Sequence, residues 1–188
     1  GRLWTADIQD PSDNSYYDKM TVYFSDLLDG ADWNTGSAGS INLSAILVNG
    51  TDEIISMGAQ NGQFIVFCKR NIVIFDDTGG SSSFDPANLR LVEVISRVGC
   101  VARDSIQNTG IDIFFLSEDG LRSLGRVVQE KSLPMRDLSK NVRDDVVDLT
   151  AASNIEQIRS VYSEDNAFYL LLFPHVKQVY CFDTRAPL

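Results

Sequence analysis

His175 is the sole histidine among 188 residues, and it follows Pro174 between two apolar runs. That excludes most chemistry built on imidazole, including Ser-His triads with alternative partners and histidine-rich metal sites. A solvated turn residue is the expected role. Carboxylates are the next candidates. Asp26, Asp29 and Asp32 lie close together, and Asp144, Asp145 and Asp148 form a second group. Glycoside hydrolysis needs two carboxyls held at a fixed separation over a sugar, and neither group has the spacing of a calcium loop. A polar loop accounts for the first group and an exposed helix face for the second. Gly79-Gly-Ser-Ser-Ser83 lacks the basic residue and following helix of a phosphate cradle. Cys68, Cys100 and Cys181 are far apart, with no Cys-x-x-Cys pair, so free thiols are expected rather than a disulfide or zinc site. No catalytic residue, cofactor or metal is expected.

The elements that would position any site are strands. Apolar, β-branched and aromatic runs alternate with Asx-Gly turns at Asp29-Gly30, Asn49-Gly50, Asn61-Gly62 and Asp119-Gly120. Hairpins are expected from Gln63–Lys69 with Asn71–Asp76, Ile111–Ser117 with Leu121–Gly125, and Ala167–Phe173 with Lys177–Asp183. Arg2–Ala6 and Met20–Ser25 read as a further pair across a polar loop. Preceding strands are expected at Glu53–Met57, Cys100–Ile106 and Gln157–Ser163. Phe24, Phe75, Leu124 and Phe182 mark intervals of 51, 49 and 58 residues, the period of propeller blades. The expected fold is therefore all-β, a β-propeller-like repeat of about four antiparallel sheets, each of three to four strands. One short helical insertion is expected near 135–147, where Met135, Leu138, Val142 and Val146 fall at steps of three and four. Ser153-Asn-Ile-Glu156 resembles a capping box. The start at Gly1-Arg2-Leu3 suggests a single domain, 1–188, cut from a longer chain.

Charge is uneven. Sixteen basic against 26 acidic side chains give a net charge of −10, which disfavours tight phosphate binding and docking on anionic lipid. Residues 7–32 hold seven aspartates against Lys19 alone, net −6, while 121–143 hold six bases against Glu130 and Asp137, net +4. Such segments suit contact between identical subunits. Asp26, Asp29 and Asp32 on one side, and Arg122, Arg126 and Arg136 on the other, are the candidate interface or channel residues. The longest apolar run, Ala167–Phe173, is too short to span a bilayer.

The runs Arg2–Asp7, Val22–Trp33, Phe64–Phe75 and Ser96–Leu124, with the later Leu138–Val142 and Tyr180–Arg185, resemble the propeller of phage tail nozzle proteins. These form the tail tubular protein B group of short-tailed phages. The resemblance implies a non-enzymatic structural subunit of the virion, made in the host cytoplasm and forming a sixfold ring below the tail adaptor. It also implies that DNA passes through the ring only in transit and that fibre proteins attach nearby. The alternative is a propeller binding module in which Trp33, Tyr16 and Tyr17 hold a carbohydrate or protein partner.

Overall fold

Asn61 and Gly62 both adopt positive φ, at 52° and 79°, and close a two-residue hairpin loop of the kind that Asn-Gly favours. The computed structural model describes residues 1–10, 12–13, 17–47, 51–77, 86–130 and 138–185. Among them the chain is mostly β, in five small antiparallel sheets with two α-helices.

The first unit contains β1 (Trp4–Thr5), a ribbon of β2 (Ile8–Gln9) and β3 (Tyr17–Asp18), then β4 (Thr21–Phe24) and β5 (Gly39–Asn42). Within it, β1, β4 and β5 form one sheet in that order. The second is a meander of β6 (Ile54–Gln60), β7 (Gln63–Cys68), β8 (Asn71–Asp77) and β9 (Leu89–Ser96). The third is β10 (Gln107–Asn108), β11 (Ile113–Ser117) and β12 (Gly120–Ser123), followed by α1 (Leu124–Glu130) and α2 (Arg143–Ala152). The fourth is β13 (Arg159–Ser163), β14 (Phe168–Phe173) and β15 (Gln178–Asp183). Leading strands start at Trp4, Ile54, Gln107 and Arg159, spaced 50, 53 and 52 residues. The stretched interval of 58 arises because Phe24, Phe75, Leu124 and Phe182 occupy unlike places: a central strand, a third strand, a helix start and a third strand.

Three cores lie between consecutive units. Along β7, Phe64, Val66 and Cys68 pack with Val22 and Leu43 of the first unit. The alternate residues Ile65 and Phe67 pack on the other side with Ile113 and Phe115 of β11. Phe114 and Leu116 of β11 then turn to Tyr169, Leu171 and Phe173 of β14. Side chains alternate across a strand, so a strand buried on both faces must be apolar at every position. That explains the unbroken runs that mark β7 and β11 in the sequence. The leading strands also meet: Asn108 Nδ2 donates to the Ala59 carbonyl at 3.2 Å, and Gln107 Nε2 to the Ser160 carbonyl at 3.1 Å.

Three expectations about elements need correction. Cys100–Ile106 is not a strand; it is a loop with a 3-10 turn at Arg103–Ser105. Its amides bridge two sheets, Cys100 N donating to the Cys68 carbonyl and Val101 N to the Leu116 carbonyl, both at 2.9 Å. The helix expected at 135–147 begins only at Arg143. Leu138 N donates to the Leu121 carbonyl at 3.0 Å, and Ser139 Oγ accepts from Leu121 N at 3.2 Å, which holds that segment on β12. Met135 to Asp137 lie outside the described residues. Helix α1 was not expected; the Asp112 carboxylate accepts from Gly125 N at 2.8 Å and from the Ser123 hydroxyl, satisfying one amide of its first turn. At the expected capping box the cap is Asn154, whose side chain accepts from Glu156 N at 3.1 Å.

Replacing Phe115 by Ala is expected to lower unfolding free energy by about 3–5 kcal/mol, the range for emptying a buried aromatic site. Tyr169→Phe leaves the buried Ser105 carbonyl, now 2.6 Å from the Tyr169 hydroxyl, without that donor, costing about 1–3 kcal/mol. Urea unfolding of both variants checks these values.

Candidate functional site

The acidic group lies in the loop that follows β4, and its carboxylates face their own backbone. Asp26 accepts from Leu27 N and Ser37 N, each at 2.8 Å, and from Ser37 Oγ at 2.6 Å. Asp32 accepts from Asn34 N at 3.0 Å, Thr35 N at 2.9 Å and the Thr35 hydroxyl. Asp29 accepts from Ala31 N at 2.9 Å. Arg2 anchors the loop, donating to the Ser25 and Ser37 carbonyls at 2.8 and 2.9 Å. Hydrogen bonds from the Ser37 hydroxyl and amide hold the Asp26 carboxyl below the usual carboxylate range. The Thr35 hydroxyl and the Asn34 and Thr35 amides do the same for Asp32, against repulsion from Asp26. These carboxylates order a surface loop.

The basic candidates divide. Arg122 is buried, with its guanidinium 3.5 Å from Asp119. Arg143 pairs with the same carboxylate at 3.7 Å and donates through Nε to the Asp119 carbonyl at 3.1 Å. Asp119 thereby ties the first residue of α2 to the β11–β12 turn. Arg126 is half-buried on α1, and Arg136 lies outside the described residues. The acidic loop belongs to the first sheet and Arg122 to the third, with the second sheet between them.

The remaining chemistry is sparse. His175 is exposed, with its Nδ1 3.1 Å from Ser153 Oγ. That hydroxyl donates to the Leu149 carbonyl one turn back in α2, so it is committed to the backbone. Cys68 and Cys100 are buried, and burial pushes both thiols up to about 12. Cys181 is exposed. Among the described residues no group of three or more His, Cys, Asp or Glu is placed to hold a metal, and no helix is long and apolar enough to cross a membrane.

Two concave surfaces escaped sequence reasoning, because their residues come from turns far apart in the chain. A cleft of about 520 Å³ is lined by Lys69, Arg70 and Arg97, with Glu118 and Asp119 also on its wall. Its backbone is tightly fixed: a Cβ on Gly99 would lie 2.3 Å from the Lys69 carbonyl carbon, and Arg97 has a φ of 68°. A second, more open groove of about 560 Å³ is lined by Trp4, Met57, Ala59, Gln63 and Phe64. The Trp4 ring packs there 4.6 Å from Phe64 and 5.1 Å from Phe24. Of the aromatic loop candidates, Tyr17 carries the Lys19 ammonium 4.3 Å from its ring centroid, Trp33 is half-buried, and Tyr16 lies outside the described residues.

No protein-family model matches the chain, and no curated protein matches it.

Because the folded values of Asp26 and Asp32 lie below those of the unfolded chain, their stabilisation of the loop is complete above about pH 4 and is lost as pH falls through the folded values. Carboxyl NMR titration should show both midpoints below about 3.9. Ser37→Ala should raise the Asp26 midpoint and leave that of Asp32 in place.

Proposed function

We propose that this chain is a propeller-type structural component of a phage tail nozzle, working by assembly and without catalysis. One observation carries the architectural part. Four sheet units at nearly constant spacing stack face to face in chain order, and the leading strands of the last three lie together. A radial repeat of small antiparallel sheets is how a propeller is built. The resemblance of Arg2–Asp7, Val22–Trp33, Phe64–Phe75 and Ser96–Leu124 to nozzle propellers supplies the biological part. In that role the chain joins copies of itself in a ring, contacts a tail adaptor and fibre proteins, and meets DNA only as it passes.

The acidic balance suits a conduit. A wall with few free Lys or Arg offers little of the phosphate contact that makes binding tight and salt-sensitive. Carboxylates repel the polyanion within a Debye length of about 8–10 Å. Asp26, Asp29 and Asp32 are exposed or half-exposed and can act in this way at a channel or subunit junction.

The second reading, a binding module for carbohydrate or protein, is favoured by the groove beside Trp4, where an aromatic ring borders an apolar floor. Light scattering and electron microscopy separate the two. A ring, or a monomer that associates only on adding tail adaptor, supports the nozzle reading. A ring with Asp26–Asp32 on its outer solvent face removes the conduit role of that loop. A persistent monomer that ignores adaptor and binds a defined glycan, with binding lost in Trp4→Ala, overturns the nozzle reading.

A further inference from the structure

Lys19, Arg103, Arg122, Arg143, Arg159 and Arg185 each lie within 3.7 Å of a carboxylate. The cleft of about 520 Å³ at the turns that end the second and third sheets is different. Lys69, Arg70 and Arg97 line it, and among the described residues their side chains have no ion-pair or hydrogen-bond partner. Lys69 and Arg70 form the β7–β8 turn and Arg97 follows β9, so the fold gathers three positive charges from two places in the chain. The carboxylates nearby are engaged elsewhere. Asp52 accepts from the Glu53 and Arg70 amides at 2.9 and 3.2 Å and from Asn71 Nδ2 at 2.6 Å. Asp119 is shared by Arg122 and Arg143. Glu118 is left as the one acid on the wall without a partner among the described residues.

The lining adds two donors. Val98 and Gly99 are buried there, and among the described residues their amides meet no acceptor. Amides at buried positions are nearly always paired, so these two call for an acceptor that the described chain does not supply. The frame around them is stiff. Gly99 leaves no room for a Cβ against the Lys69 carbonyl, and the φ of 68° at Arg97 suits glycine or asparagine better than arginine. That position bears a backbone cost while carrying a guanidinium.

We propose that this cleft binds the phosphate monoester of a small hydroxyl-bearing molecule, a sugar phosphate or nucleotide. At neutral pH such a group carries close to two negative charges and three strong acceptor oxygens. Three cationic side chains and two amides match it, whereas a carboxylate brings one charge and two oxygens. The Arg70 and Arg97 forks suit bidentate contact with phosphate, and Lys69 adds a point charge. Glu118, on the wall supplied by the β11–β12 turn, accepts from hydroxyls on the rest of the ligand. The volume falls within the range of about 300–1,000 Å³ that holds small molecules. Nucleic acid carries the same phosphate, but a net charge of −10 repels a polyanion far more than a dianion. Phosphate binding here is independent of ring assembly, and its failure leaves the nozzle reading to its own test.

Ribose 5-phosphate is titrated into the 188-residue chain at constant ionic strength and followed by amide NMR and calorimetry. The expected result is saturable binding in which the Arg97 and Gly99 amides move most, while ribose and acetate leave them in place. Arg97→Asn keeps a residue suited to the left-handed backbone and removes the charge, so it should weaken binding about tenfold or more, as losing one charged hydrogen bond does. Lys177→Asn removes a charge at another exposed left-handed position, φ 55° in the β14–β15 turn, and should leave the affinity unchanged. Glu118→Gln should weaken ribose 5-phosphate relative to inorganic phosphate. No saturation by about 10 mM ligand overturns the proposal. So does an equal loss in Arg97→Asn and Lys177→Asn, which reports net charge alone. A single-stranded oligonucleotide that moves the same amides at lower concentration than ribose 5-phosphate also overturns it, in favour of nucleic acid.

Discussion

Two strands hold the molecule together because each belongs to two cores. Phe64, Val66 and Cys68 of β7 complete the core against the first sheet, and Ile65 and Phe67 complete the next. Ile113 and Phe115 of β11 close that second core, while Phe114 and Leu116 open the third. Each large apolar side chain so buried contributes about 1.5–3 kcal/mol. A strand used in this way cannot shift by one residue without exchanging two sets of contacts at once. Register is fixed more firmly than in a sheet with one wet face.

The loop at 97–106 makes this layering polar-tight as well as apolar. Gly99 lets the chain approach the Lys69 carbonyl, after which Cys100 and Val101 bond to the second and third sheets in turn. Ser105 Oγ donates to the Ala102 carbonyl at 2.6 Å and accepts from Leu116 N at 3.0 Å, and the Ser105 carbonyl accepts from Tyr169 of the fourth sheet. Buried polar groups are costly when unpaired; here the Ser105 to Ala102 bond closes within the loop, and the other named groups are paired to neighbouring sheets. One loop thus links three sheets.

The same distinction decides what the sequence could reveal. Hairpins at Gln63–Asp76 and Ala167–Asp183 were legible because apolar runs, turn chemistry and chain neighbours all agree. Elements set by distant partners were not legible. Cys100–Ile106 has strand composition, yet its amides bond to Cys68 and Leu116. Leu124–Glu130 looks like the tail of a hairpin until Asp112 supplies its helix cap. The acidic loop was legible as a loop, but its carboxylates are bound by Ser37 and Thr35, an arrangement that charge counting does not contain. Arg122 counts as a surface charge in sequence and is buried against Asp119 in the fold.

In a stack built this way the two inner sheets should behave as one cooperative body, with the outer sheets dependent on them. Native-state hydrogen exchange measures this directly. Amides of β7, β8 and β11 should form a single slowest set, exchanging through global unfolding, with β1 and β15 opening at lower free energy. If β7 and β11 instead exchange with separate free energies and separate denaturant dependences, the sheets are independent layers and the shared-strand account is contradicted.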